Sequence, residues 1–433
     1  MKASIYNTFF FHENSFVGYN ALQDKFIILV QELYELYNAA IIEKNIPRLK
    51  EIHNNFYNHL VENGFIISEE INELEEVKKI VRKNDLENEE FYQLTINPTM
   101  NCNFKCWYCY ETHIKVSKMN SQTVDSVVNC VKAILLEKKD LKKFVLRWFG
   151  GEPLLYFDKT VLPILEQVYP LMRNKEINFT SGFTTNGLLI NRKMLEECKN
   201  NGVNNFQITL DGHRERHNQV RYVSDTRGSY DEIIENIKLC AKEGFSVSVR
   251  LNISQETLNN ENILFVLEDF KDVDVSLRSK IFFSFHEVWQ NEKDLTVDIQ
   301  DYVNHFRSEG FHTGFKGDMD FVRNSCYADK KNHATINYNG DLFKCTARDF
   351  ETKNREGFLD ENGNLVWNEK YDVRLNSKFK NKPCLDCRIL PICNGGCSQQ
   401  ALEHIGIDYC VNDFDEIKKT NIVKDKFLYT INN

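Results

Sequence analysis

The chain has 433 residues, 42% hydrophobic and 27% charged, the balance of an ordinary folded protein, which excludes global disorder. At roughly 150 residues per domain the length alone predicts about three domains. The formal charge of −9, from 54 Lys+Arg against 63 Asp+Glu with no basic tract, gives no reason to expect a nucleic-acid partner. No apolar run approaches the ~18 residues that span a bilayer, so no membrane partner is expected. The start, Met1 to Phe11, is too short and too polar around Asn7 for a secretory signal. Thirteen cysteines remain to be explained. A cytoplasmic chain keeps its thiols reduced, so an odd, large set of them points to metal rather than disulfides.

Residues 1–90 open with aromatic and β-branched runs at Ile5–Phe11 and Lys25–Val30. Helical periodicity follows: Ile28, Leu29, Leu33, Leu36 and Tyr37 mark one face, with a second helix over Arg48–Glu62 and a charged, exposed third over Glu69–Asn84. Together they predict a small α+β domain.

From 91 to 315 strand and helix alternate. The expected strands are Tyr92–Ile96, Phe144–Phe149, Asn178–Thr184, Asn205–Leu210, Ser246–Ile253 and Lys280–Phe285. Between them run helices over Ser121–Glu137, Lys159–Leu171, Arg192–Asn200, Tyr230–Lys242, Glu256–Asp269 and Val297–Ser308. Such alternation implies βαβ crossovers and a parallel sheet. Six units predict an α/β fold of the open, partial (β/α)6 TIM-like barrel type, with ligands at the carboxyl ends of the strands.

After about residue 315 the alternation stops. Thr335–Lys344 reads as a hairpin about Asn339-Gly340. Residues 316–433 hold seven of the cysteines and little apolar strand patterning, so this region is expected to fold around metal rather than around a large core. The expected division is therefore 1–90, 91–315 and 316–433.

Cys102, Cys106 and Cys109 form a Cys-x3-Cys-x2-Cys loop directly after the first barrel strand. Three thiolates on one loop can hold three irons of a 4Fe–4S cluster and leave the fourth open. A structural zinc site wants four closed ligands, and beyond His113 none stands nearby. The run Asn101 to Tyr110, reading NCNFKCWYCY, resembles the signature of radical S-adenosylmethionine (SAM) enzymes. In that family the open iron chelates SAM, and reductive cleavage yields a 5′-deoxyadenosyl radical that abstracts hydrogen from substrate. The resemblance implies SAM contacts at Tyr108, beside the third cysteine, and at Gly150, Gly151, Glu152 and Pro153, where Glu152 faces the amino group. It extends to Thr185 and Asn186 after the third strand and to Arg250, with Asn252 beside it, on the fifth. Asp211-Gly212 with His217 and Arg221 resembles a segment of peptide-modifying members, although the flanking arginines also suit a solvated loop.

The spacing of Cys326, Gly340, Cys345, Cys384, Cys387, Cys393, Cys397 and Cys410 resembles the seven-cysteine SPASM pattern of peptide and protein maturases. By that correspondence Cys326, Cys345 and Cys397 hold a nearer auxiliary 4Fe–4S cluster, one cysteine short, and Cys384, Cys387, Cys393 and Cys410 hold a distal one. Zinc ribbons share the Cys-x2-Cys spacing and are the competing reading. Cys130, Cys198 and Cys240 lie in predicted helices among apolar neighbours and are expected to be packing residues.

The resemblance implies three 4Fe–4S clusters with SAM, and a radical SAM/SPASM maturase forming a thioether or carbon–carbon crosslink in a ribosomal precursor peptide. Its partners would be the leader of that peptide, gripped by a winged-helix-like N-terminal domain, and a reductant such as flavodoxin or ferredoxin. Asp349 and His404 are candidate proton acceptors. Sulfatase maturases of the family place an Asp directly after the cysteine matching Cys345, where this chain has Thr346. Formylglycine formation and peptide epimerisation are the alternatives within the family. A ferredoxin-like electron carrier is the non-enzyme alternative, though it needs neither the GGEP turn nor a barrel.

Overall fold

The computed structural model describes residues 1–224, 226–288, 295–314 and 325–432. They pack as two units, the described residues of Met1–Asn88, Lys316–Lys331 and Lys370–Asn433 in one, and those of Glu89–Phe315 and Asn332–Glu369 in the other. The expected boundary near 90 lies beside the first division. That at 315–316 falls outside the described residues, and the span 316–433 is shared between the units.

Among the described residues, eleven strands form the sheet of the second unit. They are β1 (Phe91–Ile96), β2 (Lys143–Trp148), β3 (Asn178–Thr185), β4 (Val203–Leu210), β5 (Ser246–Ile253), β6 (Ile281–Glu287), β7 (His312–Gly314), β8 (His333–Ile336), β9 (Asp341–Phe343), β10 (Gly357–Leu359) and β11 (Leu365–Trp367). From β1 to β7 each strand pairs in parallel with its successor. Parallel neighbours in chain order, with helices between β1 and β6, are the winding of the expected open barrel. The helices Ser121–Glu137, Arg192–Asn200 and Tyr230–Lys242 have the expected bounds. Asn120 starts the first of them by accepting from Thr123 N at 2.8 Å, and Val124, Val127, Val128, Val131 and Ile134 line its buried face.

Trp148, Phe183 and Phe206 occupy matched register positions on β2, β3 and β4. Their rings stack at centroid separations of 5.9 and 5.5 Å. Cys130, Cys198 and Cys240 are buried in the same core, as expected of packing residues. β8 lies parallel to β1 on the opposite edge from β2, and β9 to β11 continue from it as an antiparallel meander. The hairpin about Asn339-Gly340 is therefore present and extends the barrel sheet, which is why 332–369 packs with this unit.

In the other unit Asn7–His12, Ser15–Asn20 and Lys25–Leu29 form a three-stranded antiparallel sheet. Ile28 and Leu29 are thus strand residues paired with Val17 and Phe16, and the helix starts only at Gln31. Alternation of buried Ile27 and Leu29 around exposed Ile28 is a period of two, and it overrides the helical spacing that included them. The expected Arg48–Glu62 helix is two helices, Ile46–Ile52 and Asn54–Glu62. Extended His53 breaks them, and its Nδ1 caps the second by accepting from Phe56 N at 3.2 Å. The third helix spans Glu73–Asp85 and buries both of those residues. Ser4 Oγ donates to Glu73, and Ile5 N donates to it at 3.0 Å.

The thiol-rich C-terminal region does own an apolar core. Ile389, Leu390 and Ile392, between Cys387 and Cys393, share a core with Val423 and Phe427 of the Glu416–Asn432 helix, with Phe10, Val17 and Tyr19 of the sheet and with Tyr6 just before it. Short apolar clusters carry no strand periodicity, so pattern reading missed them. Lys378, buried between Asp85 at 2.9 Å and Asp329 at 3.1 Å, ties the turn after Cys326 into this unit.

Candidate active site

The loops that carry the chemistry leave the carboxyl ends of β1 to β5. Gly151 N donates to Thr99 O at 3.1 Å and Glu152 N to Asn101 O at 2.8 Å, so the β2 loop lies directly on the backbone that enters Cys102. Only glycine permits this approach. A Cβ on Gly151 would stand 2.3 Å from Asn101 O, and Gly150 has φ +93° with a Cβ position 2.5 Å from Thr99 O.

Glu152 is wholly buried. Its carboxylate accepts from Leu154 N at 3.0 Å, Thr185 Oγ1 at 2.8 Å and Asn186 N at 2.8 Å. Burial raises its pKa, against these bonds. The expected amino-group acceptor thus has most of its bonding capacity engaged in clasping the β2 and β3 loops. Asn186 Nδ2 reaches on to Asn103 Oδ1 at 2.7 Å, which fastens the β3 loop to the cysteine loop. Pro153 is buried as the first residue of a helical turn.

Tyr108 meets a polar network that grows from β4 and β5. Its hydroxyl donates to Asp211 Oδ2 at 2.6 Å and accepts from Arg221 Nη2 at 2.6 Å. Arg221 Nε also donates to Asp211 Oδ2, and Asn252 Nδ2 donates to Asp211 Oδ1 at 3.0 Å. Half-buried Arg250 closes the chain, its Nε 3.1 Å from Asn252 Oδ1. Burial pushes Asp211 upward, but the Arg221 guanidinium outweighs it and holds the carboxyl below its ordinary value. The expectation of a solvated loop at 211–221 is overturned. Asp211, His217 and Arg221 are all buried, because their charges and hydrogen bonds are satisfied by one another. Asp211 and Arg221 carry no expected SAM contact; their signal in the sequence is the resemblance of Asp211-Gly212, His217 and Arg221 to a segment of peptide-modifying members.

Residues 96–270 match the family model described as the Radical SAM superfamily. That stretch is a radical SAM domain. Radical SAM cyclopropyl synthase TigE of Paramaledivibacter caminithermalis is 21% identical over 432 residues, covering 90% of this chain and 88% of that protein. Molybdenum cofactor biosynthesis protein 1 of Dictyostelium discoideum is 27% identical over 294 residues, covering 62% of this chain and 44% of that protein. The chain spans less than half the length of the first curated relatives it matches. The structure of anSMEcpe with bound AdoMet superposes with a TM-score of 0.56 at 17% identity, covering 79% of this chain and 98% of that one, a likeness of fold.

The three loop thiols of this domain are free; Cys102 and Cys106 are half-buried and Cys109 is exposed. Burial pushes Cys102 up to about 12 and Cys109 to about 11, so a thiolate there needs a positive partner such as bound metal. Asn103 Nδ2, buried beside them, has no hydrogen-bond partner among the described residues. In the other unit Cys384, Cys387, Cys393 and Cys410 line a single pocket with Tyr409 and Lys419. Asn381 Nδ2 points at Cys384 Sγ at 3.0 Å, and Asn412 N at Cys410 Sγ at 3.4 Å. Among the described residues no three His, Cys, Asp or Glu side chains converge as a single ion requires. A cluster brings its own irons and asks only that thiols face a common hollow. Cys326 and Cys397 belong to one unit and Cys345 to the other.

Neither expected proton acceptor stands free. Asp349 accepts from Thr112 N at 3.0 Å, from Thr112 Oγ1, and from Phe350 N at 2.8 Å. His404 is exposed, its Nδ1 held 2.8 Å from Gln400 O and its ring stacked on Tyr409. His404 is held by its own helix end, Asp349 by a residue 237 positions away in the chain.

His217 gives this network a pH signature. Its Nδ1 accepts from Asp211 N at 3.3 Å, so the proton sits on Nε2, 3.1 Å from Ser229 Oγ. Burial pulls the imidazole from 6.5 down to about 3. Between those values the unfolded chain binds the extra proton, so stability falls as pH drops through this window, by a few kcal/mol in all. His217→Gln cannot titrate, and urea denaturation at stepped pH should show a flatter acid limb; an unchanged slope would refute the assignment.

Proposed function

We propose that this chain is a radical SAM enzyme that modifies a ribosomally made peptide, with clusters at Cys102, Cys106 and Cys109 and at Cys384, Cys387, Cys393 and Cys410. The observation that carries the proposal is the cysteine loop at the carboxyl end of β1, bound directly to the loops after β2 and β3. With cluster and SAM bound, the site supplies hydrogen abstraction from substrate.

The chain's own residues bind and orient. Gly150 and Gly151 bring backbone close to the cysteine loop, and Glu152 with Asn186 locks the surrounding loops. Arg221 and Asp211 fix the Tyr108 ring at the SAM site, which lowers the cost of holding donor and substrate in line. The three-stranded sheet leaves Asn7–His12 and Lys25–Leu29 as edge strands, to which a leader peptide could add as a further strand. The product is a thioether or carbon–carbon crosslink, with flavodoxin or ferredoxin as electron source. Thr346 after Cys345 and the occupied Asp349 carboxylate weigh against formylglycine formation.

The test is anaerobic reconstitution with iron and sulfide, then incubation with SAM, dithionite and the short peptides encoded beside the gene. The proposal expects 5′-deoxyadenosine and a peptide lighter by two hydrogens. 5′-Deoxyadenosine without any change in those peptides would sink the substrate assignment, and its absence would sink the cluster assignment too.

A further inference from the structure

We infer that His113 tunes the loop cluster through Cys109, and that Asp349 is the positioning residue that holds His113 in place. The inference rests on the cluster proposed at Cys102, Cys106 and Cys109. His113 Nε2 lies 3.5 Å from Cys109 Sγ. A cysteine bound to iron carries no proton, so the nitrogen must be the donor, which sets the histidine tautomer. Hydrogen bonds to cluster sulfurs stabilise the more negative, reduced state and raise the reduction potential.

A ring on a surface loop would not hold this geometry without support, and the support is visible. Both carboxylate oxygens of Asp349 accept from Thr112, the residue before His113. Asp349 is itself fixed: Phe350 N donates to its Oδ1 at 2.8 Å, and Asn354 Nδ2 donates to its backbone carbonyl at 2.8 Å. A second strap runs alongside, from Tyr110 OH to Thr346 O at 2.6 Å. Two residues after Cys109, Tyr110 and Thr112, are thus tied to Thr346 and Asp349 after Cys345, and His113 directly follows the second tie.

Charge and geometry predict opposite signs at Asp349, which makes the inference testable. Removing a carboxylate near the cluster favours the reduced form and by charge alone raises the potential. Releasing the loop costs the His113 hydrogen bond and lowers it. The experiment is an anaerobic redox titration of the reconstituted full chain. It follows by electron paramagnetic resonance the cluster signal that changes when SAM is added, with circular dichroism as the check on folding.

His113→Phe should shift the midpoint to more negative potential, and His113→Gln, which keeps an N–H, should recover part of the shift. Asp349→Ala should also shift it negative, whereas Asp349→Asn, which keeps an acceptor and loses the charge, should not. The pair His113→Phe with Asp349→Ala should shift no further than His113→Phe alone. If Asp349→Ala unfolds the chain, Thr112→Val should give a smaller shift of the same sign. An unchanged potential in His113→Phe, or a positive shift in Asp349→Ala, overturns the inference. If no signal of the wild-type protein responds to SAM, the proposed cluster falls, and this inference with it.

Discussion

Cys106→Ala is expected to abolish 5′-deoxyadenosine formation while leaving the barrel folded. Two thiolates cannot hold the loop cluster, so iron content should fall by about four per chain. The barrel has little to lose, because Cys106 is only half-buried against a core built from Trp148, Phe183, Phe206 and the strand aliphatics. Cys130→Ala should behave in the opposite way. It is buried in the same core cluster as Val127 and Val131 of the Ser121–Glu137 helix, so truncation costs about 1 kcal/mol of stability and leaves iron and turnover intact. Iron assay, product chromatography and thermal denaturation on the pair would check both. Equal iron in Cys106→Ala and wild type would refute the ligand assignment.

Arg221→Leu should be among the most destabilising single changes in the barrel. It leaves Asp211, which is 4% exposed, as a buried charge without its cation, a change that typically costs about 3–5 kcal/mol. It also releases the Tyr108 hydroxyl, so substrate turnover should fall further than unfolding alone explains. Asp211→Asn added to Arg221→Leu removes the orphaned charge, and the double variant should be more stable than the sum of the two singles predicts. Urea midpoints for the four proteins give the coupling, and strict additivity would count against the buried pair. Arg221→Lys should be only a partial rescue, since one ammonium cannot reproduce the Nε and Nη2 geometry that serves Asp211 and Tyr108 together.

The barrel was legible because its strands repeat apolar residues in short runs bounded by polar helices, and β5 falls where the pattern puts it, Ser246–Ile253. Fully buried parallel strands leave strong local signals. The N-terminal sheet was legible only in part. The run from Lys25 satisfies strand and helix periods over its last residues, and pairing with Ser15–Asn20 decides between them. At the site, cysteine spacing located the loop, because ligands of one cluster must sit close in sequence when a single loop supplies them. Asp211, Arg221 and Asn252 were harder to read. Each is a polar residue whose importance comes from partners 10 to 113 positions away, and no local pattern encodes such a network. Asp349 shows the converse: an acid near a cysteine looks like a base in sequence, and its bonds to Thr112, 237 positions away, give it a holding role that no local pattern shows.

The short strand β8 has a consequence for the order in which the protein can be made. It covers the free edge of β1, and Asn97 beyond β1 meets Asn337 beyond β8 across 240 positions of chain. A ribosome needs on the order of 10–50 s to add that length. Throughout that interval β1 is a bare sheet edge, able to pair with any strand it meets, and the cysteine loop hangs from an unfinished sheet. Within the barrel sheet, a late contact is thus the one that protects the cysteine loop. Cluster assembly belongs after synthesis rather than during it, and a chain truncated before residue 333 would carry every barrel cysteine yet expose the edge that invites aggregation.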